Sequence, residues 1–129
     1  MWYSTVGFVV TLTLSLLVAP LTAEAQQATK VHRIGRLSPG SPTEPNPGLE
    51  AFRQGLRDLG YIEGQNLVIE YRYAEGRDDR LADLAAELVR LKLDVIVTVA
   101  AAATRAVQHA TRTIPIVMTT GADPVALGL

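Results

Sequence analysis

From residue 31 onward, hydrophobic and polar positions alternate between the two-residue period of strands and the longer period of helices. Four short apolar runs predict β-strands. They span residues 31–37, 67–73, 95–99 and 114–118. Between them, apolar residues recur every three to four positions, which predicts amphipathic helices. Strict alternation with short connections predicts an α/β protein with a doubly wound parallel sheet.

Helix-terminating residues support this division. Asn46 stands before a proline, a combination typical of a helix N-terminus, and Gly60 predicts the left-handed residue that ends the same helix. The apolar stripe of this helix is Leu49, Phe52, Leu56 and Leu59. Asp78 or Asp79 is expected to cap the second helix, and the third is expected to begin near Ala102.

The second and third strands differ in pattern. Residues 67–73 place charged side chains on one face only, which is typical of an edge strand. Residues 95–99 are almost entirely apolar, as in a central parallel strand covered on both faces. A strand order of 2-1-3-4 fits both patterns and puts the topological switch point between strands one and three.

Three loops built from small and hydroxyl residues follow the carboxyl ends of the predicted strands. They are Ser38–Gly40, Ala100–Thr104 and Thr119–Asp123. Small side chains let a ligand reach backbone N–H groups, and a helix N-terminus at this edge favours a carboxylate. The alternative is that small residues simply make tight turns.

Individual side chains at these loops keep two interpretations open. Asp123 is either a helix cap or the partner of a ligand ammonium, and one carboxylate can serve both roles. Thr104 is either a ligand hydroxyl or a residue of the first helical turn. Tyr71 and Tyr73 share a strand face, where they either stack on a ligand or pack against the protein.

The composition excludes several other classes of function. Twelve basic and 13 acidic residues give a net charge of −1, so no basic excess suggests nucleic-acid binding. The chain has no Cys, which excludes disulfides, thiolate metal sites and a lipoprotein anchor. His32 and His109 have no partner at metal-ligand spacing, and neither a phosphate-binding glycine motif nor a nucleophile elbow is present. We therefore predict no catalytic residue, cofactor or metal site.

The N-terminus predicts export. Residues 6–19 form an uncharged apolar run of about 21 Å as a helix, too short for the ~30 Å hydrocarbon core. Ala23-Glu24-Ala25 then offers a small-residue cleavage site. We predict a signal peptide over residues 1–25 and a polar linker over residues 26–30. An uncleaved membrane anchor is the alternative.

Several segments resemble the ABC-transporter substrate-binding proteins of tryptophan/tyrosine-type uptake systems. They are Ile34–Gly40, Ala51–Asn66, Ile69–Gly76, Leu84–Val89, Thr113–Val117 and Asp123–Val125. The Phe-Arg-Gln-Gly-Leu-Arg-Asp-Leu-Gly-Tyr run that begins at Phe52 and the following Glu-Gly-Gln-Asn are the specific part. The resemblance covers residues 31–129.

This resemblance implies a flavodoxin-like lobe of a type I periplasmic binding protein, with a small molecule bound between two lobes and an ABC permease as partner. The implied ligand residues are Ser38, Ala101, Ala102, Thr104, Gly121 and Asp123. Residues 31–129 then form an incomplete first lobe, without the second lobe, which is expected to bind its ligand weakly or not at all. The rival interpretations are an extracytoplasmic sensor module and a flavodoxin-like enzyme domain.

Overall fold

The computed structural model describes residues 30–119 and 123–129, and within them a single parallel sheet organises the chain. Its strands are His32–Ser38 (β1), Leu67–Tyr73 (β2), Val95–Val99 (β3) and Ile116–Thr119 (β4). Their order is β2-β1-β3-β4, and each neighbouring pair is parallel. The predicted fold class and strand order are confirmed, whereas residues 1–25 and all but the last of the predicted linker lie outside the described residues.

Helices connect the strands on both faces of the sheet. They are Pro47–Asp58 (α1), Leu81–Arg90 (α2) and Ala100–Ala110 (α3), with a 3-10 turn, Asp78–Arg80, before α2. In the part of the chain that the structure describes, no helix combines the length and apolar character needed to cross a bilayer.

Each face of the sheet has its own apolar cluster. On the face of α2 and α3, the fully buried side chains include Leu37, Leu88, Ile96 and Val107. On the face of α1, the buried strand residues are Ile34, Leu67, Ile69 and Val97. Phe52 and Leu56 of α1 pack against this second cluster. The packing fixes the central strands β1 and β3, whose carboxyl ends point to one edge.

A glycine in β1 permits close packing on the α2 side. A Cβ at Gly35 would lie 2.5 Å from Cδ1 of Leu93 and 3.2 Å from Cδ2 of Leu88. Both leucines are buried. A larger residue at position 35 would therefore require these leucine side chains to shift.

The ends of α1 follow the sequence prediction, with one correction. The Asn46 side chain accepts a hydrogen bond from Leu49 N at 2.9 Å, as a cap does. Gly60 has φ +90° and ends the helix in the left-handed region. Leu59, however, was wrongly placed in the buried stripe and is 76% exposed. The helix ends at Asp58, so Leu59 no longer follows the helical spacing.

Other element boundaries also differ from the prediction. Arg80 occupies the N-cap position of α2 in place of an aspartate, because the 3-10 turn absorbs Asp78 and Asp79. Helix α3 begins at Ala100, two residues earlier than expected. Strand β4 begins only at Ile116, because Thr111 Oγ1 accepts hydrogen bonds from Thr113 N and Ile114 N in a turn.

Candidate functional site

The strands that precede the predicted ligand segments end at one edge of the sheet. Ser38 ends β1, Ala101 and Ala102 lie in the first turn of α3 after β3, and Asp123 follows β4. Strands β1, β3 and β4 are consecutive neighbours in the sheet. In open α/β sheets, ligands bind outside the carboxyl ends of the strands, at the switch point. Gly121, the other predicted ligand residue in this region, lies outside the described residues.

Ser38 shapes the first of these loops. Its side chain is buried, and Oγ accepts a hydrogen bond from Gly40 N at 3.2 Å. Its carbonyl accepts from Ala74 N at 2.9 Å, which joins the loop to the end of β2. The hydroxyl therefore holds the turn at the sheet edge.

The segment predicted as a loop after β3 is the first turn of α3, and its first residue is strained. Ala100 has φ +69°, in the left-handed region that costs a residue other than glycine about 1–2 kcal/mol. Thr104 Oγ1 donates to Ala100 O at 3.0 Å and lies 2.7 Å from Thr98 Oγ1. Since Thr104 is only 2% exposed, its hydroxyl faces the interior and holds Ala100 in place.

The same helix turn presents backbone donors. The first N–H groups of any helix lack intrahelical acceptors. In α3 these belong to residues 100–102, and Ala101 and Ala102 are half-buried. Their methyl side chains leave the backbone accessible to a small ligand.

Asp123 provides the negative group of this edge. Its Oδ1 accepts a hydrogen bond from Val125 N at 2.9 Å. The predicted capping role therefore has a counterpart in the turn that follows β4. The side chain is exposed, and Oδ2 takes no part in this bond. One carboxylate can thus hold the turn and still accept from a ligand ammonium.

A small cavity of about 140 Å³ opens at the switch point, between the sheet and the start of α1. Its lining residues are Arg36, Asn46, Gly48, Phe52, Val97, Val99 and Thr119. Arg36 is buried on the α1 face of β1 and was not singled out from the sequence. The available signal was its position between Ile34 and Ser38, two residues of the same strand face that are also buried.

A larger cleft of about 670 Å³ lies beside the edge strand. Tyr71 and Tyr73 line it with ring planes 9° apart and centroids separated by 6.4 Å. Arg53 lies with its guanidinium carbon 5.2 Å from the Tyr71 ring centroid and donates to Tyr71 Oη at 3.1 Å. The two tyrosines therefore stack on each other, with α1 packed against Tyr71.

Burial and hydrogen bonding shift the titration of this pair. Burial raises the pKa of Tyr71 above its ordinary value of 10.0, although the hydrogen bond from Arg53 opposes that shift. The bond to Tyr71 raises the pKa of Arg53 in turn, so its guanidinium stays charged. Tyr71 Oη also donates to Glu63 Oε1 at 3.2 Å, which makes the tyrosine a bridge between two charged groups.

The histidines lie away from the carboxyl edge. His32 makes an edge-to-face contact with Tyr61, with ring centroids 5.3 Å apart at the start of β1. His109 is exposed near the end of α3. Across residues 30–119 and 123–129, no cluster of three or more His, Asp or Glu side chains is arranged to hold a metal ion.

The sheet and its order define a partial periplasmic-binding-protein fold. Two solved structures superpose with a TM-score of 0.67: the ligand-free, open form of an adhesive substrate-binding protein from Clostridium difficile and a conserved domain protein from Vibrio cholerae. They are 29% and 34% identical to this chain, and both matches cover 77% of it. An ABC domain in complex with L-Trp from Streptococcus pneumoniae gives 0.63, at 26% identity over 78% of the chain.

Sequence comparison assigns the chain to a family. The model of the ABC transporter substrate binding protein family matches residues 47–129, so the chain belongs to this family. A tyrosine-binding protein of Clostridioides difficile (strain R20291) is 33% identical over 88 residues, which is 65% of this chain and 26% of that protein.

These relatives help to decide between the rival interpretations, and they show how much of a relative's length this chain spans. The family is one of substrate-binding proteins and the curated relative is a tyrosine-binding protein, which argues against a flavodoxin-like enzyme domain. The chain spans about a quarter of the curated relative and about a third of each of the three structures.

Proposed function

We propose that this chain forms the first lobe of an extracytoplasmic substrate-binding protein that delivers an amino acid to an ABC permease. The ligand lies against the carboxyl edge of the sheet, and a second lobe closes over it in the complete binding protein. Export occurs through a signal peptide over residues 1–25, cleaved after Ala25, and no lipid anchor is attached because the chain has no Cys. N-terminal sequencing of the exported protein tests this part: Gln26 is expected first, and an intact Met1 contradicts it.

One observation supports the proposal above all: β3, which leads into the backbone donors of α3, and β4, which precedes Asp123 in the chain, are parallel neighbours that end at the same edge of the sheet. A zwitterionic amino acid needs donors for its carboxylate and an acceptor for its ammonium. Helix N-termini supply the donors. Asp123, with one oxygen outside the turn's hydrogen bond, supplies the acceptor.

The proposed residue roles follow from the side-chain environments. Ala101, Ala102 and Gly121 offer backbone N–H groups to the ligand, and Asp123 accepts from its ammonium. Ser38 and Thr104 act as positioning residues, because their hydroxyls bond within the loops. The tyrosine-binding relative and the L-Trp complex favour an aromatic amino acid.

Titration of the full chain with L-tryptophan, L-tyrosine and L-phenylalanine, followed by NMR, tests the proposal. We expect weak binding, with Kd near the millimolar range that corresponds to about 4 kcal/mol, because one lobe contacts only part of the ligand. Micromolar binding by the chain alone would contradict the assignment as a single lobe. Absence of binding for all three amino acids up to their solubility limits would contradict the proposal that this lobe alone holds enough of the site to bind its ligand.

A matched pair of aspartate variants tests the ammonium contact. Asp123→Asn keeps a capping oxygen but removes the charge, so we expect weaker binding of the amino acid without loss of fold. Asp94→Asn is the control, since the Asp94 carboxylate also accepts from a backbone N–H, that of Arg33 at 2.8 Å, but at the opposite edge of the sheet. Equal affinities in both variants would exclude Asp123 from the site.

A further inference from the structure

An arginine is buried at the switch point of the sheet. Arg36 lies in β1 and is 4% exposed. Its Nη1 has no hydrogen-bond partner among the described residues. The described arginines that form ion pairs all lie nearer the surface, with side chains at least 27% exposed. Arg36 is therefore a largely buried charged group that forms no ion pair within the described residues, and its Nη1 lies out of contact with water.

Such an arrangement is unfavourable for the protein alone. A guanidinium keeps its charge inside proteins, so burial cannot be relieved by deprotonation. An uncompensated buried charge costs several times more than a buried polar group that is hydrogen-bonded. An anion that entered the cavity would remove this cost.

The surrounding groups also favour an anion. The cavity borders the start of α1, a helix of 12 residues whose N-terminal dipole is positive. Asn46 Oδ1 already caps Leu49 N, but Gly48 in the first turn also lines the cavity. The backbone N–H of Gly48 belongs to the group of N-terminal donors that lack intrahelical acceptors.

The size of the cavity admits a small anion. A volume of about 140 Å³ is well above the ~10–15 Å³ that one water molecule needs, so a carboxylate with its first carbon atoms fits this space. The apolar lining of Phe52, Val97 and Val99 suits the carbon atoms next to the carboxylate.

We propose that Arg36 and the N-terminus of α1 form a carboxylate subsite at the same edge, which receives the α-carboxylate of the amino-acid ligand together with the backbone N–H groups of α3. The planar guanidinium matches a carboxylate in geometry, and the Gly48 N–H adds a second donor. That the bound carboxylate belongs to an amino acid rests on the proposed function. Recognition of a carboxylate by Arg36 and Gly48 does not depend on the proposed function.

Acetate tests the subsite without any amino acid. In ¹H–¹⁵N spectra of the full chain, sodium acetate is expected to shift the Gly48 amide and the Arg36 Nε–H signals in a saturable way. Sodium chloride at equal ionic strength serves as the control. Acetate that shifts neither signal would overturn the subsite, whatever the amino acids do.

Variants of Arg36 test whether the amino-acid ligand occupies this subsite. Arg36→Met is expected to weaken L-tryptophan binding by about 30-fold or more, because a buried charged partner is lost. Tryptamine, which lacks the carboxylate, is expected not to bind the wild-type protein detectably. Arg33→Met is the matched control, since it removes the same charge from the same strand at a partly exposed position.

Stability provides an independent readout of the same variants. Removing an uncompensated buried charge is expected to raise the Tm of the ligand-free Arg36→Met protein, by about 4 °C or more. Arg36→Lys keeps the positive charge but loses the planar guanidinium. It is therefore expected to weaken L-tryptophan binding without raising the Tm. A lower Tm for Arg36→Met would show that Arg36 is already paired within the protein, and would overturn the subsite.

The outcomes separate the two proposals. Undiminished L-tryptophan binding by Arg36→Met overturns the subsite and leaves the proposed function standing. Saturable acetate shifts without any amino-acid binding support the subsite and contradict the proposal that this lobe alone holds enough of the site to bind its ligand. Acetate shifts together with tryptophan binding that depends on Arg36 support both.

Discussion

Substitution of Gly35 by alanine tests how closely β1 packs against the layer of α2. The added Cβ would lie 2.5 Å from Leu93 Cδ1 and 3.2 Å from Leu88 Cδ2. The methyl groups of Leu93 and Leu88 would have to shift to admit it, and since Leu93 is only 7% exposed and Leu88 is fully buried, that shift takes place inside the packed layer. Insertion of a methyl group into a packed core costs about 1–3 kcal/mol.

The same substitution elsewhere in the chain has the opposite expectation. Gly55 lies on the exposed side of α1, and an added Cβ meets no atom within 4 Å. There, alanine is expected to stabilise the protein by about 0.5–1 kcal/mol through helix propensity. Gly35→Ala and Gly55→Ala add the same methyl group and differ only in the surroundings of that group.

Thermal denaturation followed by circular dichroism measures both effects. At roughly 4–8 °C per kcal/mol for a domain of this size, Gly35→Ala is expected to lower the Tm by at least about 4 °C, and Gly55→Ala to raise it slightly. If Gly35→Ala melts at or above the wild-type temperature, the close approach of β1 to Leu93 is refuted. Binding should weaken in parallel, since Arg36 and Ser38 follow Gly35 in the same strand.

Further predictions concern the helix cap, the buried hydroxyl pair and the tyrosine bridge. Asn46→Ala is expected to cost about 1 kcal/mol in chemical denaturation, and Asn46→Asp almost nothing; equal losses would exclude the cap. Thr104→Val is expected to cost about 1–3 kcal/mol by leaving Thr98 unpaired; unless the Thr98→Val/Thr104→Val double variant regains most of it, the pairing is wrong. Because folding raises the pKa of Tyr71, its contribution to stability is complete below pH 10 and is lost as pH rises through the folded value. Absorbance at alkaline pH should therefore show one tyrosine ionising late, and Tyr71→Phe should remove that step.

The strand pattern could be predicted from the sequence because it depends on local periodicity. Strands β2 and β3 have the predicted bounds, since alternation and a continuous apolar run each have one simple structural cause. The ends of helices are harder to place. Asp78 and Asp79 resemble caps in composition, yet a 3-10 turn takes them up before α2 begins.

The sequence predicts where the candidate site lies more readily than it predicts the direction of the side chains there. Loops at the carboxyl edge follow directly from strand order, and Asp123 makes a turn-forming hydrogen bond of the predicted kind. The direction of a side chain depends on tertiary packing. Thr104 therefore turned out to bond inward, and Arg36 turned out to be buried, although neither outcome is visible in local sequence.

The larger cleft beside β2 offers an alternative place for an aromatic ligand. In it, however, the Tyr71 ring already stacks on Tyr73, and its hydroxyl is bonded to Arg53 and Glu63. A ligand there would have to compete with these contacts. At the proposed subsite, by contrast, Arg36 Nη1 has no hydrogen-bond partner among residues 30–119 and 123–129, so an anion there would displace no contact of that atom within them.

The central claim is that an amino acid binds at the carboxyl edge of this sheet. Mapping the backbone amide shifts of the full chain during titration with L-tryptophan tests it most directly. The account predicts that the largest shifts fall on Gly48, Ala101 and Asp123, while residues at the opposite edge, such as Asp94, remain unchanged. Shifts confined to Arg53, Tyr71 and their neighbours would contradict it. The absence of any shift at the highest soluble concentration of L-tryptophan would contradict it as well.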